Sequence, residues 1–235
     1  MKEYAILLDS TYCTGCNSCG YRCIQEFQYH DLATRGHFRT FVQVNDEGLY
    51  HRRCMHCLEP QCVKNCPVTA LTKSAYGPVL YSIDTCIGCQ NCVRVCPFHI
   101  PQYDATTKKV VKCSFCAHRV SEGKEPACVE ACPTYALQFG EYKAIMAQAQ
   151  DLAKKKKMNI YGLQENGGTH LFVLSKENPL AAGYPKVAKM AAKGKKVSLE
   201  GDLGVPAIAA LAFTGLKKFS DRRSRIEAEE KKTQK

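Results

Sequence analysis

The chain contains sixteen cysteines in 235 residues, and their spacing constrains its fold more than any other feature. They form four groups of four, each with a two-residue gap between the first two cysteines and a three-residue gap before the last. Proline follows the last cysteine of the second, third and fourth groups, and no cysteine is left over. The quartets are Cys13, Cys16, Cys19 and Cys23; Cys54, Cys57, Cys62 and Cys66; Cys86, Cys89, Cys92 and Cys96; and Cys113, Cys116, Cys128 and Cys132.

The first and third quartets have the spacing with which bacterial ferredoxins bind [4Fe–4S] clusters. Two-residue gaps let a looping backbone wrap three thiolates around one cluster, and the fourth thiolate then ligates the neighbouring cluster. Quartets therefore work in pairs. The sequence predicts four [4Fe–4S] clusters in two modules of two clusters each.

Zinc sites and disulfides are the alternatives to iron–sulfur clusters. Zinc ribbons also use Cys-x2-Cys pairs, and the fourth quartet alone fits that pattern, but tetrahedral zinc usually takes two separated pairs rather than runs of three. Disulfides are disfavoured because three closely spaced cysteines cannot each find a partner without heavy strain. A zinc-stapled binding module would be colourless and free of acid-labile sulfide.

The segments around the quartets repeat. Residues 66–71, Cys-Pro-Val-Thr-Ala-Leu, parallel residues 132–137, Cys-Pro-Thr-Tyr-Ala-Leu. Stretches that favour β-strands precede three quartets, at residues 4–8, 79–83 and 110–111. The repeat predicts a unit of strand, cluster loop, short helix and strand. We expect an α+β fold of two ferredoxin-like dicluster modules, one inserted in the other, with a helical or irregular C-terminal tail.

The spacing between quartets suggests where the modules begin and end. Only 19 residues separate Cys66 from Cys86, so the second and third quartets form a natural inserted module and the first should pair with the fourth. A strand is expected over residues 38–44. The predicted boundaries are 1–50 and 100–142 for the outer module, 51–99 for the inserted module, 143–185 for a helix–strand extension and 186–235 for a basic tail.

The extension and the tail have a different pattern from the modules. Residues 142–157 predict a helix with Ile145, Ala149 and Leu152 on one face, and residues 169–174 predict a strand. In the tail, residues 204–216 are apolar, but a membrane span needs roughly 20 such residues. This segment is either an anchor at a membrane interface or on a membrane subunit, or a helix docked on a soluble partner.

The net charge of +11 is unevenly distributed, with +1 in residues 1–142 and +10 in residues 143–235. All the cysteines lie in the nearly neutral part. Four oxidised clusters, each about −2 with its thiolates, would reduce the total to about +3. A nucleic-acid partner is therefore not expected.

The first residues contain neither a basic region followed by a long apolar stretch nor a twin-arginine pair. We therefore expect the chain, if it is exported, to travel with a partner that carries the signal. Association with a membrane through partner subunits is expected, with the periplasmic face favoured over the cytoplasmic face.

The sequence resembles the iron–sulfur β subunit of molybdenum- or tungsten-dependent formate dehydrogenases. That subunit belongs to a wider four-cluster family that also serves dimethyl-sulfoxide and polysulfide reductases. A resemblance to formate dehydrogenase in particular lies in Phe139-Gly140 and residues 167–174. The matching cluster-loop segments are Cys54-Met-His-Cys57-Leu-Glu-Pro60, Cys86-Ile-Gly-Cys89, Cys96-Pro-Phe-His-Ile-Pro101, Glu125-Pro-Ala-Cys128-Val129 and Cys132-Pro-Thr134.

The resemblance implies how the cysteines are shared among four clusters arranged as a wire. Cluster a would take Cys13, Cys16, Cys19 and Cys132; cluster b Cys113, Cys116, Cys128 and Cys23; cluster c Cys54, Cys57, Cys62 and Cys96; and cluster d Cys86, Cys89, Cys92 and Cys66. It also implies a large molybdenum or tungsten pterin catalytic subunit as one partner. The other would be a membrane cytochrome, a quinone-linked subunit or a soluble redox carrier. An aldehyde-type pterin enzyme and a free polyferredoxin carrier are alternatives.

No catalytic constellation is visible in the chain, so we expect a non-catalytic electron-transfer subunit of an oxidoreductase used in anaerobic respiration. Four cationic residues lie close to ligands in the sequence: Arg22, Arg94, Lys112 and Arg119. They either raise the potentials of nearby clusters or are ordinary surface charges. His56 and His99 flank ligands, and for them we expect either contact with the ligands or packing, rather than ligation.

Overall fold

In the computed structural model, which describes residues 2–188, the chain begins with a strand that is buried on both faces. Ala5, Ile6 and Leu7 of this strand are fully buried. The expected tail beyond residue 188, including residues 204–216, lies outside the described residues. The strands are β1 (Tyr4–Asp9), β2 (Thr40–Asn45), β3 (Gly48–Arg53), β4 (Leu71–Lys73), β5 (Val79–Tyr81), β6 (Gln102–Asp104), β7 (Lys109–Val111), β8 (Leu137–Glu141), β9 (Asn159–Tyr161) and β10 (Leu171–Ser175). The helices are α1 (Ser18–Phe27), α2 (His30–Thr34), α3 (Gln61–Lys64), α4 (Asn91–Arg94), α5 (Ala117–Ser121), α6 (Ala127–Glu130) and α7 (Tyr142–Lys156).

The largest sheet has four strands in the order β8-β1-β10-β9. β1 is antiparallel to β8 and parallel to β10, with Ile6 opposite Leu171 in the parallel pair. The strand predicted over residues 169–174 forms as β10. The predicted helix–strand extension therefore contributes two strands, β9 and β10, to the sheet that also contains the first strand.

The two faces of this sheet pack against different partners because side chains alternate along a strand. Ala5 and Leu7 share a buried apolar cluster with Ile145 and Ala149 of α7. Ile6 and Leu8 face the opposite side, where the core includes Phe115 and several cysteines. The helix predicted over residues 142–157 is confirmed as α7. Its last turn contains three lysines, which interact favourably with the C-terminal end of the helix dipole.

The rest of the described chain consists of three two-stranded sheets and short helices, and this mixture confirms the predicted α+β, ferredoxin-like class. The pairs are β2–β3, β4–β5 and β6–β7. α1 packs against α6, and α3 packs against α4. The first helix pair joins the first and fourth quartets, and the second joins the second and third quartets, as expected for the two modules. The division of the chain into these modules, with its boundaries, stays a prediction. Within residues 2–188, no helix is both long and apolar enough to cross a membrane.

An ion-pair network connects the early helix α1 to the later helices α5 and α6. Glu26 of α1 lies 3.0 Å from Arg22, 2.8 Å from His118 and 3.4 Å from Arg119. Arg119 also reaches Glu130 of α6 at 2.8 Å. Arg22 and Arg119, two of the cations suspected of tuning cluster potentials, are thus paired with carboxylates.

Candidate iron–sulfur cluster sites

Each cysteine loop turns at the same position. The residue immediately before the second cysteine of every quartet has a positive φ, in the left-handed region of backbone space. Glycine occupies this position in two loops because a side chain is strained there. The other two loops place a histidine and a phenylalanine in the same conformation. The four turning residues, with their φ angles, are Gly15 (72°), His56 (49°), Gly88 (70°) and Phe115 (61°).

The turn directs a backbone N–H at the sulfur of the first cysteine. Gly88 donates to Cys86 Sγ over 3.4 Å, and Phe115 donates to Cys113 Sγ over 3.3 Å. The backbone N–H groups of Gly15 and His56 make the same contact in the other two loops. Hydrogen bonds of this kind stabilise the thiolate form, which is the form that ligates iron.

Short helices hold the later cysteines of each quartet. The third cysteine of every quartet lies within a helix: α1, α3, α4 or α6. In the last three quartets the helix has four residues and ends two residues before the last cysteine. In the first quartet, α1 is longer and contains both Cys19 and Cys23. The chain thus turns between the third and fourth cysteines, which separates the two thiols.

Three of the predicted ligand groups each line a separate cavity. Each of these three cavities is lined by all four cysteines of its set: set a, set c and set d. In set b, burial raises the pKa of the Cys23 thiol, and its neighbours Cys113, Cys128 and Cys116 raise it further. The sets are: set a, Cys13, Cys16, Cys19 and Cys132; set b, Cys23, Cys113, Cys116 and Cys128; set c, Cys54, Cys57, Cys62 and Cys96; set d, Cys66, Cys86, Cys89 and Cys92. Ligation of iron by these sets stays a prediction.

The geometry fits polynuclear clusters better than zinc or disulfides. All sixteen cysteines are free thiols. Within residues 2–188, no three His, Cys, Asp or Glu side chains converge closely enough for a single metal ion. Zinc needs four ligands at about 2.0–2.3 Å from one centre. In sets a, c and d, four thiols line one cavity without converging on a single point, which is the arrangement that a cluster held between them needs.

Burial also keeps most of these thiols protonated when no iron is bound. It is the largest cause that raises the pKa of Cys92 to about 11 and of Cys19, Cys57, Cys62 and Cys116 to about 12. Because iron ligation requires thiolates, loading these sites releases protons.

Arg53, at the end of β3, is the clearest sign that the sites are built for negative charge. Its side chain is only 1% exposed, and its Nη2 lies 4.0 Å from Cys113 Sγ. It also hydrogen-bonds Cys128 of set b. Burial opposes the charge, but the thiols of Cys128, Cys113 and Cys19 raise the pKa of Arg53. Nε and Nη1 have no hydrogen-bond partner in the structure. Orphaned, buried donors of this kind require a nearby anion, which an iron–sulfur cluster with its thiolates supplies.

Lys112 is a second fully buried cation. It is 1% exposed and lines the cavity of set c. Its Nζ donates to the carbonyl oxygens of Val79 at 2.8 Å and of Cys113 at 2.6 Å. Lys112 therefore lies between set c and set b. By contrast, Arg94 is exposed and bonds to Asn91 and to the carbonyl of Cys89.

The four sets follow one another in a row. Sets a and b adjoin at Cys19 and Cys128, where Cys128 raises the pKa of the Cys19 thiol. Sets b and c adjoin at Cys54 and Cys113, where Cys113 raises the pKa of the Cys54 thiol. Sets c and d share α3 and α4, because each helix contains a cysteine of one set and leads to a cysteine of the other. The two exposed cysteines are Cys16 of set a and Cys89 of set d, at opposite ends of the row.

The two histidines near the ligands differ in their surroundings. His56 accepts a hydrogen bond from the Val79 N–H at 3.0 Å and packs its ring edge-on against Phe115, with 4.9 Å between ring centres. His99 is exposed, and its carbonyl accepts a hydrogen bond from Arg52. The ring of His56 therefore packs as expected, the side chain of His99 does not, and the expectation that neither ligates a cluster stays a prediction.

Two functional features of the structure are not among those that the sequence predicts. One is the role of Arg53, although its position directly before Cys54 is a usable signal. The other is the turning role of His56 and Phe115, because only glycine signals a positive φ from sequence alone. Both features depend on how the loops fold around the sites.

Comparisons with known proteins agree with this geometry. A family model described as "4Fe-4S dicluster domain" matches residues 47–142, which contain the second, third and fourth quartets. The B subunit of the anaerobic dimethyl sulfoxide reductase of Escherichia coli is 37% identical over 166 residues, covering 64% of this chain and 80% of the relative. The iron–sulfur subunit of the nitrate-inducible formate dehydrogenase of E. coli is 34% identical over 218 residues, covering 80% and 74%. A protein of Nitratidesulfovibrio vulgaris is 33% identical over 259 residues, covering 97% and 70%.

The fold, the thiol sets and the matched dicluster model define an iron–sulfur electron-transfer protein. The chain belongs to the family of iron–sulfur subunits of molybdopterin oxidoreductases, which includes the dimethyl sulfoxide reductase and formate dehydrogenase relatives described above.

Proposed function

We propose that this chain holds four [4Fe–4S] clusters in sets a to d and passes single electrons between a larger molybdenum or tungsten pterin subunit and a second redox partner. The observation that carries this proposal is the row of thiol sets with one exposed cysteine at each end, Cys16 and Cys89. A row with two accessible ends suits transfer between two partners. Bound clusters would supply one-electron redox chemistry, while the catalytic chemistry would belong to the pterin subunit.

The residues of the chain have three tasks in this proposal. The sixteen thiolates hold the clusters, and the N–H groups of the turning residues hydrogen-bond to the first thiolate of each loop. Apolar residues such as Phe115 and Leu71 pack beside the sites and exclude water. Burial, hydrogen bonds to sulfur and nearby charges set the reduction potentials.

We infer that the catalytic partner is a formate dehydrogenase. The alignment with the formate dehydrogenase subunit covers 80% of this chain, whereas that with the dimethyl sulfoxide reductase subunit covers 64%. The longer alignment favours formate, although identity is slightly higher for the reductase subunit. A dimethyl-sulfoxide-type reductase is therefore the second candidate, supported by that 37% identity.

The second partner in this proposal is a membrane cytochrome, a quinone-linked subunit or a soluble redox carrier. Membrane attachment would come through partner subunits, at the periplasmic face. A free polyferredoxin carrier would bind its partners only transiently. Stable co-purification of a large pterin subunit with this chain would separate the two arrangements.

Electron paramagnetic resonance (EPR) of the anaerobically isolated complex tests the proposal. About sixteen irons and sixteen sulfides per chain are expected for four clusters. Formate should reduce the clusters as dithionite does. If formate has no effect but dimethyl sulfoxide reoxidises dithionite-reduced clusters, the reductase assignment replaces the formate one. An iron count well below sixteen would contradict the four-cluster proposal itself.

A further inference from the structure

Set b differs from the other three sets in its burial. All four of its thiols are buried, whereas every other set contains at least two that are partly or fully exposed. A reduced cluster carries one more negative charge than an oxidised one, and burial disfavours charge. Burial alone would therefore make a cluster in set b hard to reduce. Such a cluster would interrupt the row at its middle.

One buried cation, Arg53, lies against the thiols of this set, and a second, Lys112, lies between this set and set c. Arg53 approaches Cys113 and Cys128 from the side of set a, where Cys19 is also its neighbour. Lys112 donates to the backbone carbonyl of Cys113 and lines the cavity of set c, whose thiols are its nearest charged partners. Each cation is only 1% exposed, so water and salt screen its field weakly.

Neither cation is neutralised by a carboxylate. Among residues 2–188, every Asp or Glu ion pair involves a lysine, arginine or histidine other than these two. Lys112 is held by two carbonyl oxygens, and Arg53 has two donor nitrogens without a partner. The net positive charge of both side chains is therefore free to act on the thiol sets.

We propose that Arg53 and Lys112 are fixed countercharges that offset the burial of set b and keep its reduction potential within reach of its neighbours. The inference rests on the proposed function, since it needs clusters in sets a to d. In the step concerned, one electron enters the cluster from dithionite or from a partner, and no bond or proton is exchanged. The positive side chains stabilise the reduced form more than the oxidised form.

Potentiometric titration monitored by EPR tests this inference on the full complex. Arg53→Met and Lys112→Met each remove one buried charge. Arg53→Met should lower the ratio of reduced to oxidised set b cluster at least tenfold at a fixed potential, which is about 59 mV for a one-electron couple. Lys112→Met should lower the same ratio by less, because Lys112 lies on the set c side. Cys23→Ser identifies the signal of set b independently, because it changes a ligand of that set alone.

Three controls separate charge from structure. Arg53→Lys keeps the charge and should keep the midpoint potential close to that of the unmodified protein. Lys154→Gln removes an exposed charge on α7 and should leave all midpoints unchanged. High salt should not abolish the shifts, because the two cations are buried. If Arg53→Met loses the cluster of set b, Lys112→Met still tests the same site from the other side.

The outcomes for the inference and for the proposed function are distinct. Four clusters by iron and sulfide content, with the set b midpoint lowered in both charge-removing variants, support the inference. Four clusters with the set b midpoint unchanged in those variants overturn it. Fewer than four clusters in the unmodified complex would instead count against the proposed function, whatever the variants do.

Discussion

Replacing Gly88 with alanine should damage set d through a backbone clash that the structure cannot easily relieve. Gly88 has a φ of 70°, and a Cβ added there would lie 2.2 Å from the carbonyl oxygen of Lys108. The left-handed conformation costs a residue with a side chain roughly 1–2 kcal/mol. Forcing extra volume into a packed site costs roughly another 1–3 kcal/mol. We therefore expect the free energy of unfolding to fall by about 2–5 kcal/mol. The hydrogen bond from Gly88 to Cys86 would weaken as well.

The assay is iron and sulfide content after anaerobic purification, together with the rate at which the visible cluster absorbance is lost on heating. Gly88→Ala should lose up to about four of sixteen irons, those of set d, and bleach faster. Gly36→Ala is the matched control: its φ is 80°, but an added Cβ meets nothing within 4 Å. It measures the cost of the left-handed conformation alone.

Gly15 allows the same reasoning to be tested by rescue. It has the equivalent position in the first loop, with a φ of 72°, but its added Cβ would meet a methyl group of Val44 at 2.7 Å. A side chain can be shortened, so Val44→Ala should relieve Gly15→Ala to the level of Gly36→Ala. The reasoning would be refuted if Gly88→Ala and Gly36→Ala had the same iron content and bleaching rate. It would also be refuted if adding Val44→Ala did not slow the bleaching of Gly15→Ala.

Three further predictions concern other parts of the chain. Cys23→Ser should abolish the same EPR signal as Cys113→Ser and a different one from Cys19→Ser. If Cys19→Ser and Cys23→Ser abolished the same signal, the first quartet would not divide its ligands between sets a and b. Burial is the main cause that lowers the pKa of His170 to about 4 from its ordinary 6.5. The neutral form therefore contributes about 3 kcal/mol of stability. This contribution is complete above pH 6.5 and is lost as the pH falls towards 4. His170→Asn should therefore flatten the pH dependence of thermal bleaching between pH 6.5 and 4. Glu26→Gln should lower thermal stability by about 1 kcal/mol at low salt and by less at high salt, since its partners are partly exposed; an equal loss at both salt concentrations would argue against an electrostatic role.

Much of the fold and of the site was predictable because it depends on local pattern. The apolar run of β1, the periodic face of α7 and the strand at β10 follow from spacing along the chain. The four cysteine loops follow from spacing in the same way. The pairing of strands that are distant in sequence was not predictable. Nothing in residues 4–9 indicates that they pair in parallel with residues 171–175.

The burial of Arg53 could not be read from sequence either. Strand alternation separates it from Arg52, but which of the two enters the core depends on what β3 packs against. Arg52 lies near the surface and donates to the carbonyls of His99 and Ile100. Arg53 enters the space between sets a and b, which exists only when the distant first and fourth quartets have come together. The sequence signals the adjacent ligand, Cys54, but not that space.

The parallel pair of β1 and β10 has a consequence for how the protein is made. β1 is synthesised first, yet it is covered only when β8 and β10 lie on either side of it. Residue 175 must therefore leave the ribosome before the sheet can close. The last cysteine, Cys132, precedes both of those strands, so all sixteen cysteines have been synthesised before closure is possible. The four-stranded sheet is thus completed last, after every ligand that it helps to cover is already in the chain.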